Sequence, residues 1–71
     1  MNWYKQYRLM WINETLEIFG FINRGHLQKK FGISIPQASQ DLRQFMELNP
    51  NTMRYDIRDK RYVKWEKKKQ H

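Results

Sequence analysis

Apolar residues recur at helical spacing from the start of the chain. Between Trp3 and Phe19, the residues Leu9, Ile12, Leu16 and Phe19 fall on one stripe at about 100° per residue. Tyr4, Tyr7, Trp11 and Ile18 fall on a second stripe beside it. Together they are wider than the single core-facing stripe of a surface helix. Gly20 follows as a left-handed C-cap. A second helix is predicted over Arg24 to Phe31, with Asn23 as its N-cap and Leu27 and Phe31 as its core face. Gly32 stops it. Only Gly32, Ile33 and Ser34 precede the next helical pattern, and a short Gly-containing link of this kind is the connection of a helix-turn-helix.

The third helix is predicted from Ser34 to Met46. Ser34 caps it, and Gln37 three residues on completes a capping box. Pro36 sits in the first turn, where its missing N–H costs nothing. Ile35, Ala38, Leu42, Phe45 and Met46 lie on one arc and form its core face. The turn signal Asn49-Pro50-Asn51 cannot continue it. Beyond that the period changes from helical to alternating. Thr52 to Ile57 and Arg61 to Trp65 carry the aromatic and β-branched bias of strands, joined by the polar turn Arg58-Asp59-Lys60. A lone hairpin is only marginally stable, so this one must pack on the helices. The pattern is therefore mainly α with a small β-hairpin: a winged helix-turn-helix of three helices and a two-stranded wing. Residues 1–65 form the domain, and residues 66–71 are expected to be a basic disordered tail.

Length limits the core. A domain of 71 residues buries only about 60% of its unfolded surface. With no Cys and two distant histidines, no disulfide and no clustered metal site is available to support it. No cofactor is expected. No run approaches the roughly 18 apolar residues of a membrane span, and the N-terminus lacks a signal-peptide pattern. A soluble intracellular protein is expected by default, with no membrane partner.

Charge adds a partner. The chain carries +7, with 14 Lys and Arg against 7 Asp and Glu. From Arg54 to His71 there are eight basic and three acidic residues, which is +5 of that total. A basic balance concentrated in this way is the footprint of a nucleic-acid binder. A solvated basic tail is the plainer explanation of the charge alone.

The outward face of the third helix holds Pro36, Gln37, Gln40, Arg43, Gln44 and Glu47. Gln pairs with adenine and Arg with guanine at the major-groove edge. Pro36, Gln37, Gln40, Arg43 and Gln44 are thus the candidate base-reading set, with Arg43 first. Gln and Arg are also ordinary soluble helix formers; their joint position opposite the core favours base reading. Glu47 is assigned a structural place. Ser34 and Ser39, near the helix N-terminus, are candidates for phosphate, with Lys29 and Lys30 on the backbone flanking the groove. Arg58, Lys60 and Arg61 crowd the wing tip, where they would grip phosphates or enter the minor groove. Asp41 is expected to pair with a nearby Arg such as Arg24, and His26 to be an ordinary surface residue. Trp3, Tyr4, Tyr7 and Trp11 are either plain core or a dimer seam.

The run Gly20-Phe21-Ile22-Asn23-Arg24, then Leu27, Phe31-Gly32-Ile33-Ser34, Pro36-Gln37-Ala38-Ser39, Asp41-Leu42, Pro50-Asn51, Tyr55-Asp56, Lys60 and Tyr62 resembles one family. It looks like the N-terminal winged helix domain of WYL-domain transcriptional regulators, notably repressors of bacterial phage-defence islands. The likeness covers roughly Arg8 to Tyr62 and is most specific from Phe31 to Leu42. It implies a dimeric repressor on an inverted repeat of double-stranded DNA, with the third helix in the major groove and the wing alongside. The effector-sensing and main dimerisation regions of those regulators lie outside the 71 residues. Effector sensing is therefore not carried over, and no small-molecule ligand is expected of this domain.

Two other binding functions compete. One is a protein-interaction module, such as an adaptor, anti-repressor or excision factor of a mobile element, docking through the aromatic first helix. The other is RNA binding, which would need strand aromatics free for stacking. An enzyme is not expected, because no paired carboxylates, nucleophile–base pair or phosphate loop appears.

Overall fold

The computed structural model describes residues 3–65. The expected tail at residues 66–71 lies outside them. Three helices, α1 (Trp3–Phe19), α2 (Arg24–Phe31) and α3 (Ile35–Leu48), are followed by strands β2 (Met53–Asp56) and β3 (Arg61–Lys64). The helix starts and the hairpin agree with the sequence pattern. The helix α3 runs two residues past the expected Met46 and is capped by Asn49, whose N–H donates to the Phe45 carbonyl.

The two-stranded wing, β2 and β3, is present as expected, and its sheet gains a third strand. A short strand β1 (Phe21–Ile22) between α1 and α2 pairs antiparallel with β3, giving the order β1-β3-β2. Phe21 faces Val63 and Ile22 faces Tyr62. Two residues carry no periodicity; their strand character comes from the neighbour they pair with. The Gly20 carbonyl accepts from the Lys64 N–H at 2.8 Å, extending that ladder. Gly20 itself has φ 84°, a left-handed value that ends α1 and turns the chain into β1.

One core holds the elements together. Ile12 and Leu16 of α1, Ile22 of β1, Leu27 of α2, Ala38, Leu42 and Phe45 of α3, and Met53 of β2 are buried, with Leu9, Trp11, Phe31, Ile33, Met46 and Tyr62 packed around them. The α3 arc agrees with expectation, with Ile35 and Met46 half-buried at its edges. The α1 stripes agree less well. Phe19 is 68% exposed and Ile18 72%. Phe19 instead borders an open groove beside Trp11 and Phe21. The inner face of α1 gives its places to Arg8 and Thr15, both buried.

Two local expectations need correction. The partner of Asp41 is Arg8 on α1, not Arg24: Arg8 Nε donates to Oδ2, and Nη2 donates to Oδ1 at 3.2 Å. His26 is not an ordinary surface residue. It is half-buried at the start of α2, where the Asn23 N–H donates to its Nδ1 at 3.1 Å and its own N–H donates to Asn23 Oδ1 at 2.9 Å. That reciprocal pair is a capping box, with His in the place usually taken by Glu or Gln. At α3 the box is half made. Ser34 Oγ accepts from the Gln37 N–H at 3.2 Å, but the Gln37 side chain turns to Asp41 instead of Ser34.

Candidate nucleic-acid interface

The outward side of α3 is built by the helix period. Burying Ala38, Leu42 and Phe45 leaves Gln40, Arg43 and Glu47 exposed and Gln44 half-exposed. Gln40, Arg43, Gln44 and Glu47 line one shallow, polar patch. The patch continues into a cleft of about 500 Å³ between α3 and the wing. Ser39, Arg43 and Met46 form its helix wall, Tyr55, Lys60 and Tyr62 its wing wall, and Arg24 its end. Arg43 belongs to both surfaces. The structure thus brings Gln40, Arg43, Gln44, Ser39 and Lys60 together on one side of the molecule.

Pro36 is exposed in the first turn of α3. Gln37 is half-buried, and its Nε2 donates to Asp41 Oδ1 at 3.0 Å. Ser34 Oγ is occupied as the helix cap. Lys29 and Lys30 do not join the cleft. They line the separate groove of about 470 Å³ with Trp11, Thr15, Phe19, Phe21 and His26, and Lys30 Nζ stands 5.9 Å from the Trp11 ring centre.

The wing tip is tightly tied. Asp56 Oδ1 accepts from the N–H groups of Arg58 and Asp59, at 3.0 and 3.3 Å. Lys60 takes a left-handed φ of 54°, which closes the turn into β3. Arg58 and Lys60 remain exposed there. Arg61 turns back from them: its guanidinium lies 4.3 Å from the Phe21 ring centre, and Nη2 is 3.5 Å from Asp59 Oδ2. Its charge is thus partly countered within the wing, and its guanidinium lies over Phe21 of β1.

Sequence reasoning missed Arg24, Tyr55 and Tyr62 as walls of the cleft. Tyr55 and Tyr62 are opposite one another in the β2–β3 register, with ring centres 4.9 Å apart. Alternation put them on one face of the hairpin, but which face looks toward α3 depends on packing. Arg24 opens α2 and is distant in sequence from every other member of the cleft.

The four aromatics from Trp3 to Trp11 divide. Tyr4, Tyr7 and Trp11 each set a ring edge-on to Phe31, with ring centres 5.6 to 5.9 Å apart. Trp3 stacks on Tyr7 at 6.0 Å but is itself 76% exposed. The stripe therefore packs on α2 along one edge and faces solvent along the other. Among the described residues no cluster of His, Cys, Asp or Glu could hold a metal ion, and no helix is long and apolar enough to cross a membrane.

Known proteins agree with this layout. A repressor from Escherichia coli named DNA-binding transcriptional repressor CapW is 42% identical over 61 residues, 86% of this chain and 20% of that protein. CapW of Pseudomonas aeruginosa is 39% identical over a stretch of the same length, and CapW of Stenotrophomonas maltophilia 38% over 63 residues. The chain spans about a fifth of the length of these relatives. Residues 4–71 match the BrxR transcriptional regulator winged helix-turn-helix domain. With three helices, a wing and a match over nearly its whole length, the chain belongs to the family of BrxR-type winged helix-turn-helix domains.

Proposed function

We propose that this domain binds double-stranded DNA with sequence preference, as the DNA-reading part of a transcriptional repressor. The observation that carries this reading is the position of Arg43. It stands where the polar patch on α3 meets the basic cleft against the wing. A helix that enters the major groove presents base-reading side chains beside a surface that follows the backbone. Arg43 reads guanine, with Gln40 and Gln44 beside it and Gln37 and Pro36 at the entering end. Arg24, Ser39, Lys60 and the Tyr55 hydroxyl line the path of a phosphate strand, and Arg58 extends it along the wing. The +7 charge supplies the attraction. Relatives named as DNA-binding repressors support the same function. The function is binding, without catalysis, in the cytoplasm of a bacterium.

We further propose that two copies act on an inverted repeat, with the solvent edge of the α1 aromatics, led by Trp3, as the contact between them. Selection of bound sequences from a random DNA pool tests both points. A recovered motif supports sequence reading, and a two-fold symmetric motif supports the pair. A pool that stays random overturns the proposal.

One observation favours a second reading. The groove between α1, β1 and α2 has an apolar floor of Trp11, Phe19 and Phe21 and two lysines on its rim. A protein partner docked there would make the domain an adaptor. A partner retained after Gln40 and Arg43 are both replaced by Ala would support that role.

A further inference from the structure

Asp41 is completely buried, although it lies one turn below the exposed face of α3. Three donors reach its carboxylate: Arg8 Nε at Oδ2, and Arg8 Nη2 and Gln37 Nε2 at Oδ1. An ionised carboxylate accepts hydrogen bonds and donates none. The Gln37 amide facing it must therefore present its NH2 group inward. The amide is planar, with oxygen and nitrogen on opposite arms, so this choice turns Oε1 away from Asp41. Oε1 has no hydrogen-bond partner among the described residues. Gln37 lies in the first turn of α3, where residues of a groove-entering helix most often meet base edges.

We propose that Asp41, itself fixed by Arg8, sets the polarity of Gln37, so that Gln37 meets DNA oxygen first and selects a base with an exocyclic amine. This rests on the DNA-binding reading above. In the major groove, adenine N6 and cytosine N4 donate, whereas guanine O6 and thymine O4 accept. The unpartnered Oε1 accepts from the first two and meets acceptor oxygens on the others. At one position of the site, the strand facing Gln37 carries A or C and not G or T. Asp41 is a positioning residue: it touches no DNA and acts through Gln37.

A substitution can reverse the polarity. In Asp41→Asn, the shorter contact, from Arg8 Nε, keeps the oxygen of the new amide, and Arg8 Nη2 gives up its longer bond at the Oδ1 position. The NH2 of the new amide then faces Gln37, which must turn its own amide round to supply an acceptor. Nε2 becomes the outermost atom and donates to G or T.

The test is sequence selection from a random DNA pool by the 71-residue chain and its Gln37→Ala and Asp41→Asn variants, with circular dichroism to check folding. The expected result is one position restricted to A or C on one strand, lost in Gln37→Ala and changed to G or T on the same strand in Asp41→Asn. Replacing an adenine there by purine, which lacks only the N6 amine, identifies the strand. It weakens wild type by about tenfold and leaves Gln37→Ala unchanged. The inference is overturned if Gln37→Ala alters no position, if the purine replacement is harmless to wild type, or if Asp41→Asn keeps the A or C preference. Should Asp41→Asn not fold, the Gln37→Ala and purine arms decide. A motif that survives with every position unaltered by Gln37→Ala overturns this inference alone, and the absence of any motif overturns the DNA-binding reading with it.

Discussion

Arg8 and Asp41 lie 33 residues apart and meet as a buried, two-pronged ion pair that ties α1 to α3. The hydrogen bond to Asp41, outweighing the opposing effect of burial, holds the Arg8 guanidinium above its ordinary pKa. A cation with a raised folded pKa contributes stability that is lost only as pH rises through that value. For a guanidinium that range is far above neutrality. Arg8 therefore stays charged at working pH, and its contribution is flat across the neutral range.

Removing one member leaves the other buried without its charge partner. Arg8→Ala is expected to destabilise the domain by about 3–5 kcal/mol, enough to unfold much of a small domain of ordinary stability. The double replacement Arg8→Met with Asp41→Leu is expected to recover most of that loss, since apolar side chains of similar volume dispense with the desolvation cost. Urea unfolding of the single and double variants measures both. Equal loss in the two would contradict this account of the pair.

Arg43 and Lys60 line the same cleft but are expected to behave differently on DNA. Arg43→Ala should cost about 1–3 kcal/mol on the preferred site and relax one base position. Lys60→Ala should weaken all sequences alike and reduce the salt slope by about one. Competition binding at several salt concentrations separates them. An unchanged ratio of specific to random binding in Arg43→Ala would remove its base-reading role.

Phe31 is the post against which Tyr4, Tyr7 and Trp11 set their rings. It is only half-buried, so Phe31→Ala is expected to cost about 2 kcal/mol, below the ~3–5 of a fully buried Phe. Trp3 is different, because its exposed ring stacks on Tyr7 alone among the aromatic pairs described. Trp3→Ala should leave the melting temperature nearly unchanged. If α1 joins two copies, the same change lowers the oligomeric state seen in sedimentation.

Gly32 joins α2 to α3 in a left-handed conformation, φ 66°, and nothing lies within 4 Å of where a Cβ would stand. Crowding therefore does not select the glycine; the backbone angle does. Gly32→Ala is expected to cost about 1–2 kcal/mol, with Gly32→Asn losing less because Asn tolerates this region better. Thermal unfolding of the two variants checks the order.

Features that depend on neighbours in sequence were legible without a structure. The caps Asn23 and Ser34, the stops Gly20 and Gly32, the arc Ala38-Leu42-Phe45 and the change to alternation after Asn51 are local signals, and they placed three helices and a hairpin. They also put Gln40 and Arg43 opposite the core. Tertiary packing decided the rest. Strand β1 exists because β3 lies beside it. Arg61 folds onto Phe21 and Asp59 and leaves the tip to Arg58 and Lys60. The partner of Asp41 comes from α1, and the Gln37 amide donates to the same carboxylate. Helical period sets where a side chain points from its own axis, but its polar partners depend on which elements meet. That is why the outward face of α3 was visible in the sequence, while the partners that hold the Gln37 amide were not.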